Sequence, residues 1–431
     1  MQTPLIVLDD DPTGTQAVTQ VPVLLDWAPE DLRAAGEGGA ASIHLLTNSR
    51  ALEHGRAREI VSEAVEAARS VFPEARVLLR GDSTLRAHLL DEYLGTCASA
   101  HEDRRPPILL VPALPAAGRI TIDGVHLIER DGARTPLHET EYAEDPSFAY
   151  TDANLLQWAQ DRSDGLFPRE SGRTIPLRVL REQGPASVSD ALQELAEAAT
   201  PAACVPDAET VGDLELIAEG LRMAWDAGTE VVVRGAPTFA GVLAGTLSVE
   251  PAPMPPAPRG VMVVCGSYVP TTGRQLAALA DSYPKTMVEA DVLALADPER
   301  ADAEIDRLAD AVAELLGHGR LAVLTTPRER PESTRNLASG ERIAVNLATV
   351  VRRVSPPPSV VVAKGGITSA VTARVGLDGR IAQTVGPVVP GVALWHVQRS
   401  GGGEVPYLVV PGNVGDDDLL VTIVDGILEV G

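Results

Sequence analysis

Three consecutive aspartates, Asp9, Asp10 and Asp11, follow a short apolar run near the N-terminus, in the stretch LDDDPTGTQ. Carboxylates this close repel one another, so a purely structural role for all three is unfavourable. Two more polar clusters follow apolar runs in the same half of the chain: TNSR, which ends in Arg50, and RGDSTLR at residues 80–86. Ligands of open parallel sheets bind outside the carboxyl ends of the strands. We therefore expect the three clusters to converge on one cleft.

The side chains of these clusters combine donors for a carboxylate with partners for hydroxyl groups. Arginine offers a fork that matches a carboxylate, while aspartate, serine and threonine can hydrogen-bond hydroxyls. The alternative for single residues is local, since Asp11 or Thr13 could cap the following segment and Arg86 could form a surface ion pair. Together the clusters favour a site for a small hydroxylated acid. Its candidate residues are Asp10, Arg50, Arg80, Asp82, Ser83, Thr84 and Arg86.

Three glycine-containing turns follow apolar runs in the second half of the chain, within CGSYVPTTGRQ, KGGITSA and PGNVGDDD. Backbone amides in such turns can cradle phosphate. A steric requirement of the turn would explain any single glycine equally well, but three turns at corresponding strand ends favour a nucleotide. This half has neither a P-loop lysine nor the spaced glycines of a dinucleotide fold. The candidate residues are Gly266, Ser267, Gly365, Gly366, Thr368, Ser369, Gly412, Asn413 and Gly415.

The elements that position these clusters have the rhythm of an α/β protein. Short apolar runs alternate with amphipathic stretches, which predicts two open, mainly parallel αβ-sheet domains with the active site in the interdomain cleft. The clearest helix is predicted over residues 52–71. Its expected buried face contains Ile60, Ala64, Ala67, Ala68 and Val71.

A proline-rich stretch, SVEPAPMPPAPRG, marks the predicted domain boundary. Repeated prolines cannot continue a helix or a central strand, so residues 248–260 are expected to form an interdomain linker. The substrate-binding domain is then predicted over residues 1–250 and the nucleotide-binding domain over residues 260–431.

Composition limits the partners. The chain has 431 residues, 45% of them hydrophobic, and a formal net charge of −24, so a basic nucleic-acid surface is not expected and the partner is predicted to be small. The three cysteines match no metal or redox spacing and suggest a reducing compartment. Without a basic leader or a long apolar run, we expect a cytoplasmic protein that does not enter a membrane. The histidines considered, His44, His54, His88 and His138, have no metal-ligand spacing, so no histidine metal site is predicted.

In combination, the motifs resemble those of the four-carbon acid sugar kinases. The stretches that carry the resemblance, in chain order, are DDDPTGTQ, RGDSTLR, VPALPAAGRITIDGVH, CGSYVPTTGRQ, KGGITSA, VVPGVALW and PGNVG. The resemblance implies an N-terminal domain that binds a sugar acid and a C-terminal domain that binds ATP. It also implies phosphorylation of a hydroxyl of a tetronate such as threonate or erythronate.

The family motifs carry over to individual positions of this chain. The DD-x-TG motif falls on Asp10, Asp11, Thr13 and Gly14. The DSTLR motif adds Leu85 to the expected substrate-binding residues, and Arg50 matches the substrate arginine. The GS, GG-x-T and GN-x-G turns match the glycine turns given above. The chain departs from the family at Ala87, Ile367 and Pro411, where the family often has glycine, aspartate and lysine.

Phosphoryl transfer needs a positioned hydroxyl, charge compensation on the phosphates, usually Mg²⁺, and a carboxylate that accepts the proton. The resemblance and the aspartate cluster together predict Asp10 or Asp11 as this base. Another carboxylate would bind substrate hydroxyls or hold metal through water. The choice between the two aspartates, the particular sugar acid and the oligomeric state stay open at this point.

Two other functions are compatible with parts of the sequence. Ser83, Asp123 and His126 could form an esterase triad, with Ser83 as the nucleophile. Alternatively, the chain could bind a sugar acid without catalysis. The triad would leave the glycine turns of the second half without a role, and release of ADP in the presence of a tetronate would exclude the binding protein.

Overall fold

The computed structural model describes residues 3–98, 105–248, 250–334 and 336–430. These residues divide into two compact units. Unit 1 comprises the described residues of Met1–Gly14 and Trp27–Leu247, and unit 2 those of Thr15–Asp26 and Ser248–Gly431. Both units are built from α-helices and mainly parallel β-sheet, which confirms the predicted fold class.

The strands, numbered in chain order, are β1 Leu5–Asp9, β2 Pro22–Leu24, β3 Ser42–Leu46, β4 Val77–Arg80, β5 Ile108–Val111, β6 Arg119–Ile122, β7 Val125–Arg130, β8 Ala133–Pro136, β9 Arg173–Ile175, β10 Ala203–Pro206, β11 Val232–Gly235, β12 Val261–Cys265, β13 Met287–Glu289, β14 Leu321–Thr325, β15 Val360–Lys364, β16 Gly379–Val389, β17 Val392–Arg399 and β18 Glu404–Val410.

The α-helices are α1 Pro29–Glu37, α2 Arg56–Val71, α3 Leu89–Cys97, α4 Leu155–Arg162, α5 Leu177–Gln183, α6 Ala186–Glu197, α7 Val211–Asp226, α8 Pro237–Ala244, α9 Pro270–Ser282, α10 Val292–Ala296, α11 Ala301–His318, α12 Leu337–Arg353, α13 Gly366–Val371 and α14 Leu419–Val430. Among the described residues, no helix combines the length and apolar character that a membrane span requires.

The main sheet of unit 1 is parallel, in the order β3-β1-β4-β11-β5-β10-β9. Its central strands read as continuous apolar runs because both faces are covered, as is usual for parallel sheets. Val7, Leu78, Leu109 and Val233 are fully buried and belong to one core with residues of α5 to α8. A small antiparallel sheet, β6-β7-β8, lies within the same unit.

The predicted helix over residues 52–71 begins later than expected, at Arg56. Gly55 precedes it with a φ of 78°, a left-handed conformation that a helix cannot continue. The buried face is Ala57, Val61, Ala64, Val65 and Ala68. The predicted face was therefore wrong at Ile60, Ala67 and Val71, which are only partly buried, because alanines rather than the larger side chains share the inner stripe with Val61 and Val65.

The sheet of unit 2 has a parallel and an antiparallel part, in the order β13-β14-β12-β15-β18-β17-β16-β2. Neighbouring strands among β13, β14, β12, β15 and β18 pair in parallel, whereas β17, β16 and β2 continue the sheet in antiparallel pairs. Strand β2 brings the segment Thr15–Asp26 into this unit, and Trp395 Nε1 donates a hydrogen bond of 2.8 Å to Thr15 Oγ1. The sequence contains no signal for this exchange, since the segment interrupts unit 1.

Candidate substrate and nucleotide sites

The aspartate and arginine clusters meet at one edge of the unit 1 sheet. Strands β3, β1, β4 and β11 are parallel neighbours, so their carboxyl ends lie side by side. In register, Asp9 at the end of β1 pairs with Arg80 of β4, and Arg80 pairs with Gly235 of β11. The loops that carry Asp10, Arg50 and residues 80–86 therefore start from adjacent strand ends, as the strand-end argument predicts.

Arg80 forms the buried floor of this site. Its Nε donates to Asp9 Oδ1 at 2.7 Å, and its Nη2 donates to the backbone carbonyl of Asp11. The other oxygen of Asp9 lies 2.9 Å from His44 Nδ1. Burial alone would raise the pKa of Asp9, but Arg80 and His44 outweigh it and hold the pKa below its usual value. Asp9 is thus a permanent negative charge that orients Arg80.

Glycine is required at position 14 for a steric reason that cannot be seen in the sequence motif. A Cβ atom at this position would lie 2.0 Å from Arg80 Nε and 2.2 Å from Arg80 Cζ. Real Cβ atoms do not approach that closely, so any side chain here would push the turn away from Arg80 or displace the guanidinium. The glycine of the DD-x-TG motif allows the turn to lie directly on the buried arginine.

Asp11 is engaged by its own turn and by one arginine. Thr13 donates to its carboxylate from the backbone nitrogen at 2.6 Å and from the hydroxyl group. Arg50 Nη2 also contacts this carboxylate. Burial would raise the pKa of Asp11, but Arg50, Arg80 and Thr13 lower it overall. The local turn considered as an alternative for Asp11 and Thr13 is therefore formed, within the same cluster of charges.

Arg50 joins carboxylates from two loops. Besides Asp11, its guanidinium lies 3.9 Å from Asp10 Oδ2 and 3.7 Å from Asp82 Oδ1. Its side chain is 16% exposed, against 2% for those of Arg80 and Asp10. The arginines that contact the three aspartates include Arg50, which follows β3, and Arg80, at the end of β4. Of these two, Arg50 is the one that is more accessible to solvent.

The DSTLR loop folds back on Asp82. Arg86 Nε donates to Asp82 Oδ2 at 2.7 Å, and the Thr84 hydroxyl donates to the same oxygen. Although burial raises the pKa of Asp82, Arg86 and Arg50 lower it well below its usual range. Leu85 has a φ of 67°, which lets the chain reverse here, and its side chain is 3% exposed. Leu85 and Ser83 are both buried, so they shape the loop from behind.

The esterase triad is not assembled. His126 Nε2 lies 2.9 Å from the backbone carbonyl of Ser83, and Nδ1 lies 3.0 Å from Thr121 Oγ1. Both ring nitrogens are therefore used, and neither bonds the Ser83 hydroxyl or the Asp123 carboxylate. Burial lowers the pKa of His126 to about 4. His126 is a neutral support for the DSTLR loop. The esterase alternative is therefore wrong: His126 does contact Ser83, but through the backbone carbonyl.

Sequence reasoning missed Arg234, the penultimate residue of β11. Its Nη1 contacts Glu92, and its Nη2 lies 3.8 Å from Asp10 Oδ2 without a hydrogen-bond partner of its own. A Cβ atom on Gly81 would lie 2.2 Å from this Nη2, so Gly81 makes room for it. The signal was present as an Arg-Gly pair at the end of an apolar run, in VVRGAP as in LLRGDS.

Asp10 differs from its neighbours. Arg80 Nη1 lies 2.9 Å from Asp10 Oδ1 but does not form a well-directed hydrogen bond, and both carboxylate oxygens are buried without a hydrogen-bond partner. Burial raises the pKa of Asp10 to about 6, despite the opposing influence of Arg50 and Arg80. Of the aspartates in this cluster, Asp10 is the one whose pKa lies near neutrality and whose oxygens can still accept hydrogen bonds.

A small cavity of about 20 Å³ adjoins this cluster within unit 1, which is room for about one water molecule. Asp82 and Arg234 provide its charged walls. The remaining lining is largely apolar and consists of Gly81, Leu85, Leu110, Val111, Pro112, Leu155, Trp158, Gly235 and Ala236.

The three glycine turns of unit 2 also meet in space. They follow β12, β15 and β18, which are parallel neighbours. A Cβ atom on Gly266 would lie 2.7 Å from Thr368 Oγ1, and one on Gly412 would lie 3.0 Å from Ser267 Oγ. Gly365 has a φ of 107° and would bring a Cβ atom to 3.1 Å from that of Ser267. The glycines are required because the three turns touch.

The predicted nucleotide-site residues differ in their accessibility. Ser267 lies at the junction, where its hydroxyl accepts a 3.2 Å hydrogen bond from Thr272. Ser369 points inward, since it is fully buried and its hydroxyl donates to the carbonyl of Ala363. Asn413 and Ile367 are exposed at the turns. Gly366 opens α13, and Thr368 lies in the same helix.

Two basic side chains near these turns were not singled out from the sequence. Arg328 donates from Nη1 to the carbonyl of Ser267 at 2.9 Å and from Nη2 to that of Thr326 at 2.6 Å. Lys364 is buried, and its Nζ donates to the carbonyl of Pro411 at 2.6 Å. Burial lowers the pKa of Lys364 to about 8. Both residues follow the pattern of polar groups at strand ends, Arg328 after β14 and Lys364 at the end of β15.

Comparison with known protein families gives two matches that together span most of the chain. Residues 5–243 match the sugar-binding N-terminal domain, and residues 262–420 match the nucleotide-binding C-terminal domain. These two domains define a class of sugar-binding, nucleotide-binding proteins. The chain belongs to this class, the four-carbon acid sugar kinase family whose motifs it resembles.

Two curated relatives are similar along nearly their whole length. A D-erythronate kinase of Heliobacterium modesticaldum is 30% identical over 404 residues, which cover 90% of this chain and 87% of the relative. A D-threonate kinase of Salmonella typhimurium LT2 is 24% identical over 439 residues, which cover 96% of each chain.

Solved structures show the same fold. A Salmonella typhimurium LT2 protein superposes with a TM-score of 0.69 and 19% identity over 97% of this chain and 98% of its own. A Haemophilus influenzae protein superposes with a TM-score of 0.64 and 17% identity over 98% of this chain and all of its own.

Proposed function

We propose that this protein is an ATP-dependent kinase that phosphorylates a hydroxyl group of a four-carbon sugar acid of the erythronate or threonate type. The main support for this proposal is the environment of Asp10. Asp10 is a buried carboxylate with a pKa near 6, its oxygens accept no hydrogen bond, and arginines surround it at the sheet edge of unit 1. The names of the two curated relatives, an erythronate kinase and a threonate kinase, support the substrate class.

Unit 1 would hold the sugar acid through charged side chains. A carboxylate binds best to an arginine that can offer two donors and that water can still reach before binding. Arg50 meets this condition better than Arg80, which is buried and committed to Asp9. The hydroxyl groups of the substrate would bind Asp82 and Thr84, and Arg234 lines the same small cavity as Asp82.

Asp10 is the better candidate for the general base. A base works best when its pKa lies near the operating pH, and the pKa of Asp10 is raised towards neutrality while that of Asp11 is lowered. Asp11 also receives hydrogen bonds from Thr13, which weakens it further as a proton acceptor. We assign to Asp11 the role of holding Arg50.

Access to Asp10 depends on Arg50 in this proposal. Asp10 is buried, while the guanidinium of Arg50 lies 3.9 Å from it and is partly exposed. When the carboxylate of the sugar acid attracts this guanidinium, Asp10 loses one of its positive neighbours and becomes able to accept the proton of a substrate hydroxyl. Binding of the acid group would thereby prepare the base.

Unit 2 would hold the nucleotide at the junction of its three glycine turns. Backbone amides at such turns are suited to phosphate oxygens. Arg328 would add a positive charge beside Ser267, where the phosphates are expected. Lys364 supports the turn at Pro411 from within, because its buried Nζ donates a hydrogen bond to the Pro411 carbonyl.

Mg²⁺ is expected to arrive with the nucleotide. In kinases it is held mainly by phosphate oxygens, water and one or two carboxylates. The aspartates of the unit 1 cluster fit this role poorly, because Asp9, Asp10, Asp11 and Asp82 each lie within 4 Å of an arginine nitrogen.

A coupled assay of ADP release tests the proposal. The protein is supplied with ATP and Mg²⁺ and screened against the D- and L-forms of erythronate and threonate and their keto analogues. We expect ADP release that depends on one of these acids, with a phosphorylated acid of the corresponding mass as the product. If no acid stimulates ADP release while one of them binds to the protein in calorimetry, the protein is a sugar-acid-binding protein and the kinase proposal is wrong.

A further inference from the structure

Unit 1 contains a cluster of potential metal ligands outside the proposed substrate site: His54, His88 and Asp91. One ligand atom from each of the three side chains lies within 4.8 Å of the other two. His54 Nδ1 is 3.0 Å from Asp91 Oδ2, and the two imidazole rings are 4.7 Å apart between centroids, nearly perpendicular to each other. The sequence pattern predicts no metal site here, because the two histidines are far apart along the chain and match no metal-ligand spacing.

The hydrogen bonding of His88 leaves one ring nitrogen available to a metal ion. It is 5% exposed, and its Nε2 lies 2.9 Å from the backbone carbonyl of Leu52. A carbonyl can only accept, so Nε2 must carry the hydrogen, and the lone pair of the neutral ring is then on Nδ1. Nδ1 is buried and has no hydrogen-bond partner. Metal-binding histidines share this arrangement, with one nitrogen donating to a carbonyl and the other facing the metal.

Neighbouring groups fix the orientation of the His88 ring. The Leu52 carbonyl lies 2.9 Å from Nε2, and Phe148 packs against the ring at an interplanar angle of 78°, with centroids 4.9 Å apart. The lone pair of Nδ1 is therefore held in one direction, as in metal-binding histidines.

We propose that His54, His88 and Asp91 form a binding site for a divalent transition metal, and that Zn²⁺ is the ion it fits best. Two imidazole nitrogens and one carboxylate oxygen suit Zn²⁺, with water as the fourth ligand. Ligand atoms around tetrahedral zinc are about 3.3 Å apart, given bonds of about 2.0 to 2.1 Å. The ligand atoms, which lie within 4.8 Å of one another, would have to move closer, and the side chain of His54, 79% exposed, can rotate to allow this.

The metal would join the two loops that carry the substrate arginines. His54 follows the Arg50 loop and precedes α2, whereas His88 and Asp91 lie where the Arg86 loop enters α3. The Leu52 carbonyl already ties His88 to the first of these loops. A bound ion would strengthen this link and hold Arg50 and Arg86 in a fixed relation. The binding itself does not depend on the proposed kinase activity.

Zinc titration of the full-length protein, without an affinity tag and after treatment with a chelator, tests the site. In isothermal calorimetry we expect one Zn²⁺ per chain with micromolar affinity. H54A and D91N should each weaken binding by at least about ten-fold, because each removes one of three ligands. H318A is the matched control, since His318 is an exposed histidine at the end of α11, and it should bind as the parent does.

Cobalt provides a second readout. Co²⁺ in a site of two nitrogens and one carboxylate should give visible d–d absorption in the parent protein and in H318A, and H54A should lack it. Thermal unfolding of the zinc-free variants checks that they remain folded, which is expected because His54 is exposed. If the parent binds no zinc below millimolar concentrations, or if H54A and D91N bind it as the parent does, the cluster is an ordinary histidine–aspartate pair and the proposal is wrong.

Discussion

Unit 1 and unit 2 each place functional groups at the carboxyl ends of neighbouring parallel strands, but they use different groups. In unit 1 the edge is filled by buried side chains of both charges, and Arg50 contacts three carboxylates while Arg80 contacts two. In unit 2 the corner is built from glycine turns and hydroxyl groups that approach within van der Waals contact. The charged residues of the unit 1 edge are Asp9, Asp10, Asp11, Arg50, Arg80, Asp82, Arg86, Glu92 and Arg234.

The difference reflects the ligands proposed for the two units. A sugar acid is small, and its carboxylate and hydroxyl groups are best distinguished by side chains in fixed positions. A polyphosphate carries its charge on many equivalent oxygens, which backbone amides can bind wherever a turn exposes them. Charge-changing substitutions should therefore act mainly through unit 1, and substitutions that add atoms to a turn should act through unit 2.

Removal of the Asp10 charge should have the largest effect. D10N keeps the size of the side chain but cannot accept a proton, so kcat should fall by about 10²- to 10⁴-fold, the usual contribution of a general base. Steady-state ADP release with saturating ATP and sugar acid measures it. D11N is the comparison, and it should mainly raise the KM for the sugar acid because Asp11 holds Arg50. Parental turnover by D10N would remove Asp10 from the base role.

Replacement of Arg50 should separate the two ligands. R50K keeps one positive charge but loses the fork that reaches three carboxylates, so the KM for the sugar acid should rise by about 10- to 100-fold, as expected for the loss of a charged hydrogen bond. The KM for ATP should stay within about two-fold of the parental value. R58K, at an exposed position of α2, should leave both constants unchanged. Equal increases in both KM values would contradict a substrate role confined to unit 1.

Adding a methyl group at Gly365 should affect the KM for ATP and not the KM for the sugar acid, the opposite of the R50K result. Gly365 has a φ of 107°, and a Cβ atom there would lie 3.1 Å from that of Ser267, so G365A strains the turn by about 1 to 3 kcal/mol. We expect the KM for ATP to rise by about ten-fold while that for the sugar acid changes little. G317A is the control, because a Cβ atom on Gly317 meets no other atom within 4 Å. Unchanged ATP kinetics in G365A would argue against this turn as a phosphate site.

The pH dependence should show the smallest effect and should affect one ligand only. The pKa of Asp10 is raised to about 6, and the base must be deprotonated to act. The value of kcat/KM for the sugar acid should therefore be about half-maximal near pH 6, fall as the pH decreases further and level off above pH 7. The affinity for ATP, measured by equilibrium binding, should not share this dependence on pH. A profile for the sugar acid that stays flat down to pH 5 would rule out Asp10 as the base.

Local sequence predicted a large part of the two candidate sites because strand ends are easy to recognise. The runs before Asp9, Arg80 and Gly266 are short and apolar, and polar or glycine residues follow directly. Arg234 was missed because its loop lacks a cluster of polar residues, although it has the same Arg-Gly pair as β4. Ser369 looked similar to Thr368 in the sequence, but the turn of α13 directs its hydroxyl to the backbone of Ala363.

Periodicity was less reliable where several small residues share a helix. In α2 the predicted and the observed buried faces are neighbouring faces of the same helix. The observed face is the one that buries Val61 and Val65. The antiparallel pairing of β16 and β17 was not predicted, although β16 alternates buried and less buried positions, a pattern common in antiparallel strands. The hydrogen-bond partner of a strand cannot be read from its own residues.

The α/β class, the positions of the strand ends and the residue types found there follow from local patterns of apolar, glycine and charged residues, so they can be predicted before the fold is known. Which charges neutralise one another depends instead on the folded chain. It left the oxygens of Asp10 without hydrogen bonds while it paired Asp9 with Arg80. It also brought His54 beside His88 and inserted β2 into the sheet of unit 2. These outcomes depend on contacts between residues distant in sequence, and such contacts exist only once the chain has folded.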